Sequence, residues 1–331
     1  MKIKNLNENK VHLMIEKQVR INEHSFRILE QGRGPAVLFL HGFPDTAETW
    51  KYQMNSLADA GYHTIALDLR GFGDSYAPLD YQLYSARHIV DDLTGLLDSL
   101  GIESAVLVGH DWGADHAQRA MLLQPERFKG LVSLSIPFSP RAEMSQWDLL
   151  RKNGFGEKYY AMEMMDNDRE EDYLPAEKTI KNVFYWLSAS PAKGTGWDPV
   201  DATRNMFRSS PVEIPEWTTK EYIEKTVGWF EKTGFQTGIN HYRANQTTFD
   251  ETLYLKGRKI EHPSLYIWGR EDGLCKFFHP EVLTLEELQK NHPGLLKQVA
   301  LENVGHWPQH EASQVVSDEI LDFLYKIDFT K

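Results

Sequence analysis

Apolar positions in the first 137 residues fall into two alternating kinds of run. Short, almost continuous ones, AVLFLHG (36–42), HTIALDLRG (63–71), SAVLVGH (104–110) and GLVSLSIPF (130–138), read as strands buried on both faces. HSFRILEQG (24–32) reads as an earlier strand. Between them, AETWKYQMNSLADAG (47–61), SARHIVDDLTGLLDSLG (85–101) and a stretch from about 113 to 124 carry apolar residues at helical spacing. Gly101 stops the second of these. Strands of this kind alternating with helices predict an α/β unit with a mostly parallel central sheet flanked by helices.

The pattern changes after residue 138. Residues 139–257 are rich in Trp, Tyr, Met and charge but hold few strand-like runs. RAEMSQWDLLRKNG, AEKTIKNVFYWLSAS and TKEYIEKTVGWFEKTG predict helices separated by loops such as SPAKGTGWDPVD. The α/β alternation resumes with PSLYIWGREDG (263–273), a helix near 280–290, LKQVALENVGHW (296–307) and a final helix, SQVVSDEILDFLYK. Residues 1–138 and 258–331 therefore form one core domain, and 139–257 a helical cap (lid) domain inserted into it. Ligand pockets of open α/β sheets lie at the carboxyl ends of the strands, where such a cap would sit.

Composition narrows the function classes. With 41% hydrophobic and 12% aromatic residues, the 331-residue chain has the material for a sizeable core. Its net charge of −12 argues against nucleic acid, because phosphate binding needs a basic face. One cysteine, Cys275, excludes an intrachain disulfide and a cysteine zinc cluster. The polar start, MKIKNLNENKVHLMIEKQVRI, lacks the apolar core of a signal peptide. No apolar run approaches the roughly 18 to 20 residues of a membrane span, so a cytoplasmic chain is expected. GFGDS (71–75) lacks the full spacing of a dinucleotide loop, and NDREEDY (167–173) lacks that of a calcium loop. No cofactor and no metal are expected.

One segment carries chemistry at its surface. A buried strand runs into Gly109-His110-Asp111-Trp112-Gly113 and then into a helix. This is the spacing of the nucleophile elbow, with aspartate where serine usually stands. An aspartate at such a place is otherwise a helix N-cap.

The chain resembles the α/β-hydrolases, in the branch that holds epoxide hydrolases and haloalkane dehalogenases. HGFPDTAETW (41–50), DLRGFGDS (68–75), GHDWGA (109–114), WGREDG (268–273) and GHW (305–307) carry the likeness in the family's order. The resemblance implies an α/β-hydrolase fold and three reacting groups. Asp111 is the nucleophile: a carboxylate is ionised near neutral pH and suits displacement at a tetrahedral carbon, giving an ester on the enzyme. His306 is the base that activates water against that ester, and Asp272 orients the imidazole. Glu271 beside Asp272 is the competing reading for the acid, and LSIPF (134–138) offers no carboxylate at the position some relatives use. The backbone N–H groups of Phe43 and Trp112 form the oxyanion site. His41 and Pro44 are assigned to the substrate loop, though both also suit turn formation, and a cis Phe43–Pro44 bond is compatible with it.

What distinguishes epoxide from halide is the leaving group. An opened epoxide leaves as an alkoxide and needs an acid, for which a phenol serves at pH 7. INHYRAN (239–245) resembles the epoxide-hydrolase segment whose tyrosine precedes arginine, which makes Tyr242 that acid. EKYYAMEMM (157–165) offers the second, Tyr160, with Met164 at the family's phenylalanine; Tyr159 is the alternative. Phe43 stands where dehalogenases carry asparagine for halide. Phe43, Trp112, Met164 and Trp186 would give the pocket an apolar wall suited to a small lipophilic epoxide, with water as co-reactant; Trp186 fits cap packing equally well. A haloalkane dehalogenase and a ligand-binding protein without turnover are the competing readings.

Overall fold

The computed structural model describes residues 13–156, 159–166, 168–277 and 283–329. Residues 1–12, read above as lacking a signal peptide, lie outside them, as do Glu157, Lys158, Asn167, residues 278–282, Thr330 and Lys331. Eight strands form one sheet: β1 (Ile15–Ile21), β2 (His24–Gly32), β3 (Ala36–Leu40), β4 (His63–Leu67), β5 (Ala105–His110), β6 (Phe128–Leu134), β7 (Ser264–Gly269) and β8 (Leu295–Leu301). Their spatial order is β1-β2-β4-β3-β5-β6-β7-β8. β2 pairs antiparallel with both β1 and β4, and every other pairing is parallel.

Strand residues partition between two apolar layers. Leu38, Leu40, Ile65, Leu67 and Leu107 face one side with Ile89, Leu93, Ala117 and Met121, which belong to α2 (Ala86–Ser99) and α3 (Trp112–Leu123). Val37, Phe39, Ala66, Val106 and Val108 face the other, against α1 (Lys51–Asp59) and the C-terminal helix at Ser313–Lys326. Two covered faces are why these strands read as unbroken apolar runs.

Between β6 and β7 the described chain holds no strand. It forms α4 (Gln146–Lys152), α5 (Tyr160–Asp166), α6 (Ala176–Leu187), α7 (Lys220–Thr233), α8 (Gln236–Arg243) and α9 (Asn245–Glu251). After β7 come α10 (Leu285–Gln289), α11 (Pro308–Glu311) and α12 (Ser313–Lys326). None of the described helices is long and apolar enough to cross a membrane.

Three departures from the sequence expectations have local causes. β1 is absent from them because, as an edge strand, it buries only Ile21 fully and shows little apolar periodicity. β6 stops at Leu134 because Ser135 adopts φ +69°, which turns the chain out of the sheet. α4 starts five residues late, where Ser145 accepts a hydrogen bond from the Asp148 N–H and caps the helix.

Register sets up the site. Leu40 lies opposite Gly109, His110 opposite Leu134, Leu134 opposite Ile267, and Gly269 opposite Leu301. The carboxyl ends of β3, β5, β6, β7 and β8 are therefore level, and five loops leave the sheet side by side.

Gly228 tests how much stability the insertion leaves unused. It sits exposed in mid-α7, and an added Cβ would meet no atom within 4 Å. Gly228→Ala is expected to stabilise the protein by about 0.5–1 kcal/mol. Gly113→Ala, whose Cβ would lie 2.1 Å from the Leu40 carbonyl oxygen, is expected to destabilise it. Denaturant midpoints compared with wild type check both signs.

Candidate active site

Asp111 occupies the turn from β5 into α3 at φ 52°, ψ −121°, a conformation unusual for a residue with a Cβ. Neighbouring glycines make the turn possible. A Cβ on Gly42 would fall 2.4–2.8 Å from the Asp111 side chain, so the loop after β3 lies directly on the carboxylate. That closeness brings the Phe43 N–H to Asp111 Oδ1 at 3.0 Å. The Trp112 N–H is a second donor to the same group. Burial pushes the Asp111 carboxyl above the usual range, while His306 and these two N–H groups work against it.

His306 and Asp272 arrive on the loops after β8 and β7. His306 Nδ1 donates to Asp272 Oδ2 at 3.0 Å, and His306 Nε2 lies 3.8 Å from Asp111 Oδ2. Asp272 Oδ1 accepts from the Leu274 N–H at 3.0 Å, so both of its oxygens are engaged. Burial alone would lower the imidazole's pKa; the carboxylates of Asp272, Asp111 and Glu311 outweigh it and raise it. Glu271, the competing acid, faces Lys193 at 3.6 Å instead.

Two residues missed by sequence reasoning hold this pair. Ser135 Oγ donates to Asp272 Oδ2 at 2.5 Å and lies 3.2 Å from His306 Nδ1. It occupies the position after β6 at which the sequence shows no carboxylate; a hydroxyl there is the overlooked signal. Glu311, in α11, accepts from the N–H groups of Gly305 (2.9 Å), Trp307 (3.0 Å) and Ala189 (2.8 Å). It therefore clamps the loop on both sides of His306 and ties it to the helical insertion. No motif in the sequence marks Glu311: two of its partners lie in the loop just before it, and the third, Ala189, comes from a distant turn.

The insertion closes the other side with aromatic rings. The Tyr242 ring, in α8, meets Trp112 edge-on at 4.8 Å, Phe43 at 5.7 Å and Tyr160 at 6.1 Å. Burial is the first cause that raises both phenols, Tyr242 and Tyr160, well above the ordinary value; the Asp111 charge comes next for Tyr242, and Tyr159 and Tyr242 ahead of Asp111 for Tyr160. Tyr159 is turned towards Trp147 and Phe277 and meets Tyr160 but, among the described ring contacts, not Tyr242. Met164 is buried one turn beyond Tyr160 in α5.

The other residues expected at the substrate are His41, Pro44 and Trp186. Both ring nitrogens of His41 are committed to backbone, Nδ1 to the Gly42 carbonyl (2.8 Å) and Nε2 to the Leu69 N–H (3.1 Å). His41 therefore shapes the loop and has no polar atom left for a substrate. Pro44 is buried behind a cis Phe43–Pro44 bond. Trp186 is taken up elsewhere: its indole N–H donates to the Arg208 carbonyl at 2.7 Å, and the Arg208 guanidinium lies 3.6 Å over its ring. That half-buried packing, not the Asp111 group, explains this tryptophan.

Comparison with known proteins gives the same direction from three sides. Residues 35–313 match the model of the alpha/beta hydrolase fold family. Over 313 residues, 95% of this chain and 94% of the relative, the sequence is 45% identical to an epoxide hydrolase of Caballeronia sordidicola. It is 33% identical to epoxide hydrolase A of Mycobacterium tuberculosis, over 93% of this chain and 97% of the relative. Among solved structures, an epoxide hydrolase from Vigna radiata matches with a TM-score of 0.84 at 30% identity, covering 95% of this chain and 98% of the other. Epoxide hydrolase A from Mycobacterium thermoresistibile matches with a TM-score of 0.85 at 33% identity and the same coverage.

A second buried acid joins the Phe43 loop to the insertion. Asp45 Oδ1 accepts from the Tyr222 hydroxyl of α7 at 2.5 Å. Burial pushes Asp45 up to about 7, against the hydrogen bonds from the Tyr222 hydroxyl and the Thr46 N–H. Unfolded, the carboxyl titrates near 3.9. The native state thus binds more protons between those values, and this group's contribution falls as pH rises through that window. Asp45→Asn keeps an acceptor without the charge. It is expected to raise the melting temperature relative to wild type at about pH 8, with the gain gone by about pH 4. A difference that is the same at both pH values would contradict this.

Proposed function

Because the chain belongs to the α/β-hydrolase fold family, and within it to the epoxide hydrolases, we propose that it converts an epoxide to a vicinal diol in two steps through an ester on Asp111. Residues 1–138 and 258–331 act as the core domain and 139–257 as the cap that closes over the substrate. The observation that carries this reading is one arrangement: a buried carboxylate backed by a histidine–aspartate pair and faced by two phenols, Tyr242 buried and Tyr160 partly buried.

In the first step an Asp111 carboxylate oxygen attacks an epoxide carbon, and the carbon–oxygen bond breaks. The departing oxygen is an alkoxide, a far stronger base than a phenolate, so Tyr242, assisted by Tyr160, donates to it. The raised pKa of both phenols keeps them protonated until that moment. A halide would have no use for these protons. Phe43, Trp112 and Met164 offer the substrate an apolar wall, which favours small lipophilic epoxides.

In the second step His306 Nε2 takes a proton from water as the water oxygen attacks the ester carbonyl carbon. Charge building on the carbonyl oxygen is met by the Phe43 and Trp112 N–H groups; removing one such donor typically costs about 3–4 kcal/mol. The diol leaves and the carboxylate is restored. The imidazolium returns its proton to the phenolate formed in the first step. Electrostatics assists the order of events. In the free enzyme the Asp111 charge helps to raise His306. Esterification removes that charge, so the imidazole is more readily neutral when a base is required.

Three outcomes test the proposal. His306→Gln, incubated with epoxides and haloalkanes, is expected to accumulate a protein adduct whose intact mass exceeds the enzyme by a whole epoxide. Adducts from haloalkanes alone, lacking the halogen, would make the protein a dehalogenase. Absence of any adduct, with an inactive wild type that still binds ligand, would make it a binding protein. Tyr242→Phe is expected to slow ester formation about 10²-fold and leave ester hydrolysis far less affected; equal slowing of both steps overturns its role. Asp272→Asn removes a charge that raises His306. Ester hydrolysis is then slower, and its acid limb lies at lower pH than in wild type, as read from a single-turnover pH profile.

A further inference from the structure

α3 and α8 carry opposite sides of the reacting site, Trp112 on one and Tyr242 on the other, and a histidine from each meets beneath them. His116 stands one helical turn beyond Trp112, and His241 immediately precedes Tyr242. His116 Nε2 lies 2.8 Å from His241 Nδ1. On its far side, His241 Nε2 lies 3.0 Å from the carbonyl oxygen of Arg70. Both rings are buried.

The protons in this chain have only one arrangement when both rings are neutral. A carbonyl oxygen only accepts, so His241 Nε2 carries hydrogen and His241 Nδ1 is a lone pair. His116 Nε2 must then donate to it. Neutrality is enforced by burial, which lowers His116 to about 3 and His241 well below the ordinary imidazole value. The acceptor at the end is itself fixed: the Arg70 guanidinium makes two 2.7 Å bonds to the two oxygens of Asp92 in α2. A directed line of hydrogen bonds thus runs from α3 through α8 to a rigid point of the core.

Two apolar side chains would join these helices more cheaply. A neutral hydrogen bond returns little net stability, and His116 Nδ1 is buried with no partner among the described residues. What the pair adds is direction, because a 2.8 Å bond between two ring nitrogens restricts the rotation of α8. That rotation also places Tyr242 edge-on to Trp112, whose indole lies over His116 at 5.8 Å and 30°.

We propose that the His116–His241 hydrogen bond is a positioning element for the epoxide-opening acid, holding α8 at the rotation that aims the Tyr242 phenol at the Asp111 side of the pocket. The inference rests on the reading of Tyr242 as that acid. Neither histidine is assigned a bond-making role; both pack against Trp112 as well, but the effect proposed for their hydrogen bond is carried by Tyr242. They belong to the ester-forming step and not to ester hydrolysis, which His306 governs from the other side.

The experiment is single-turnover kinetics with an epoxide, with ester formation and ester decay followed separately by rapid quench and intact mass. His116→Phe keeps a ring but removes the donor; His116→Leu removes it with less bulk and serves should the phenylalanine variant fail to fold. Loss of the donor is expected to slow ester formation about 10-fold, as for a misaimed catalytic group. Ester decay should stay within roughly twofold of wild type, and His116→Gln, whose amide supplies an N–H, should restore ester formation to the same margin. Added to Tyr242→Phe, the loss of the donor should slow nothing further. Equal slowing of both steps, unchanged ester formation in a folded variant, or a full additional loss in the Tyr242→Phe background would each overturn the inference. Should Tyr242→Phe by itself leave ester formation unchanged, the reading of Tyr242 as the acid fails first, and this proposal with it. Should Tyr242→Phe slow that step while the His116 variants do not, the positioning role alone fails.

Discussion

Everything at this site depends on burying one carboxylate where a side chain rarely sits. Asp111 holds a positive φ at the end of β5 and is packed so tightly under the β3 loop that even a methyl group on Gly42 would overlap it. Burying an anion is costly unless it is hydrogen-bonded. The same closeness supplies the remedy, because it delivers the Phe43 N–H to one oxygen while the helix start delivers that of Trp112. The contacts that make the buried charge tolerable are those that would later hold the ester carbonyl.

Charge around His306 is arranged with similar economy. Three carboxylates surround one imidazole, each held differently. Asp272 is fixed by Ser135 and the Leu274 N–H, and Glu311 by three backbone N–H groups. Asp111 faces the other ring nitrogen at a distance too long for a hydrogen bond. Two of the three are thus structural and permanent, whereas the third is the one that chemistry would neutralise. A base whose neighbours change charge during the reaction needs no movement of its own to change strength.

The helical insertion reaches the core through polar contacts from particular helices. α7 sends Tyr222 to Asp45, α8 sends His241 to the Arg70 carbonyl, and the chain after α6 offers the Ala189 N–H to Glu311. The first and third of these land on segments that carry or adjoin a candidate catalytic group, and the second on the loop after β4. Other polar contacts, such as Thr248 with Ala86 and Lys232 with Asp74, hold the insertion away from the site, and much of its own bulk is aromatic packing. Trp186 belongs to that packing, clasped by Arg208.

The sequence by itself determined the layering and the local turns. Unbroken apolar runs identify β3 to β7 because both faces of those strands are covered, and that cause is local to each strand. Gly109-His110-Asp111-Trp112-Gly113 marks its own turn, since the backbone conformation is set within five residues. Asp272 and His306 are legible only through the likeness of WGREDG and GHW to the family's motifs, since neither turn announces a role by itself. Tertiary structure alone decided what surrounds them. Ser135 is a hydroxyl with no motif, and it matters only because β6 and β7 are neighbours in register. Glu311 gathers donors from chain positions as far apart as 189 and 307. His41 and His116 look alike in the sequence, as buried-strand and helix histidines, yet one is locked to its own loop and the other reaches across to α8. A hydrogen bond between distant segments leaves no trace in either segment, so which polar side chains share a buried volume is known only once the chain is folded.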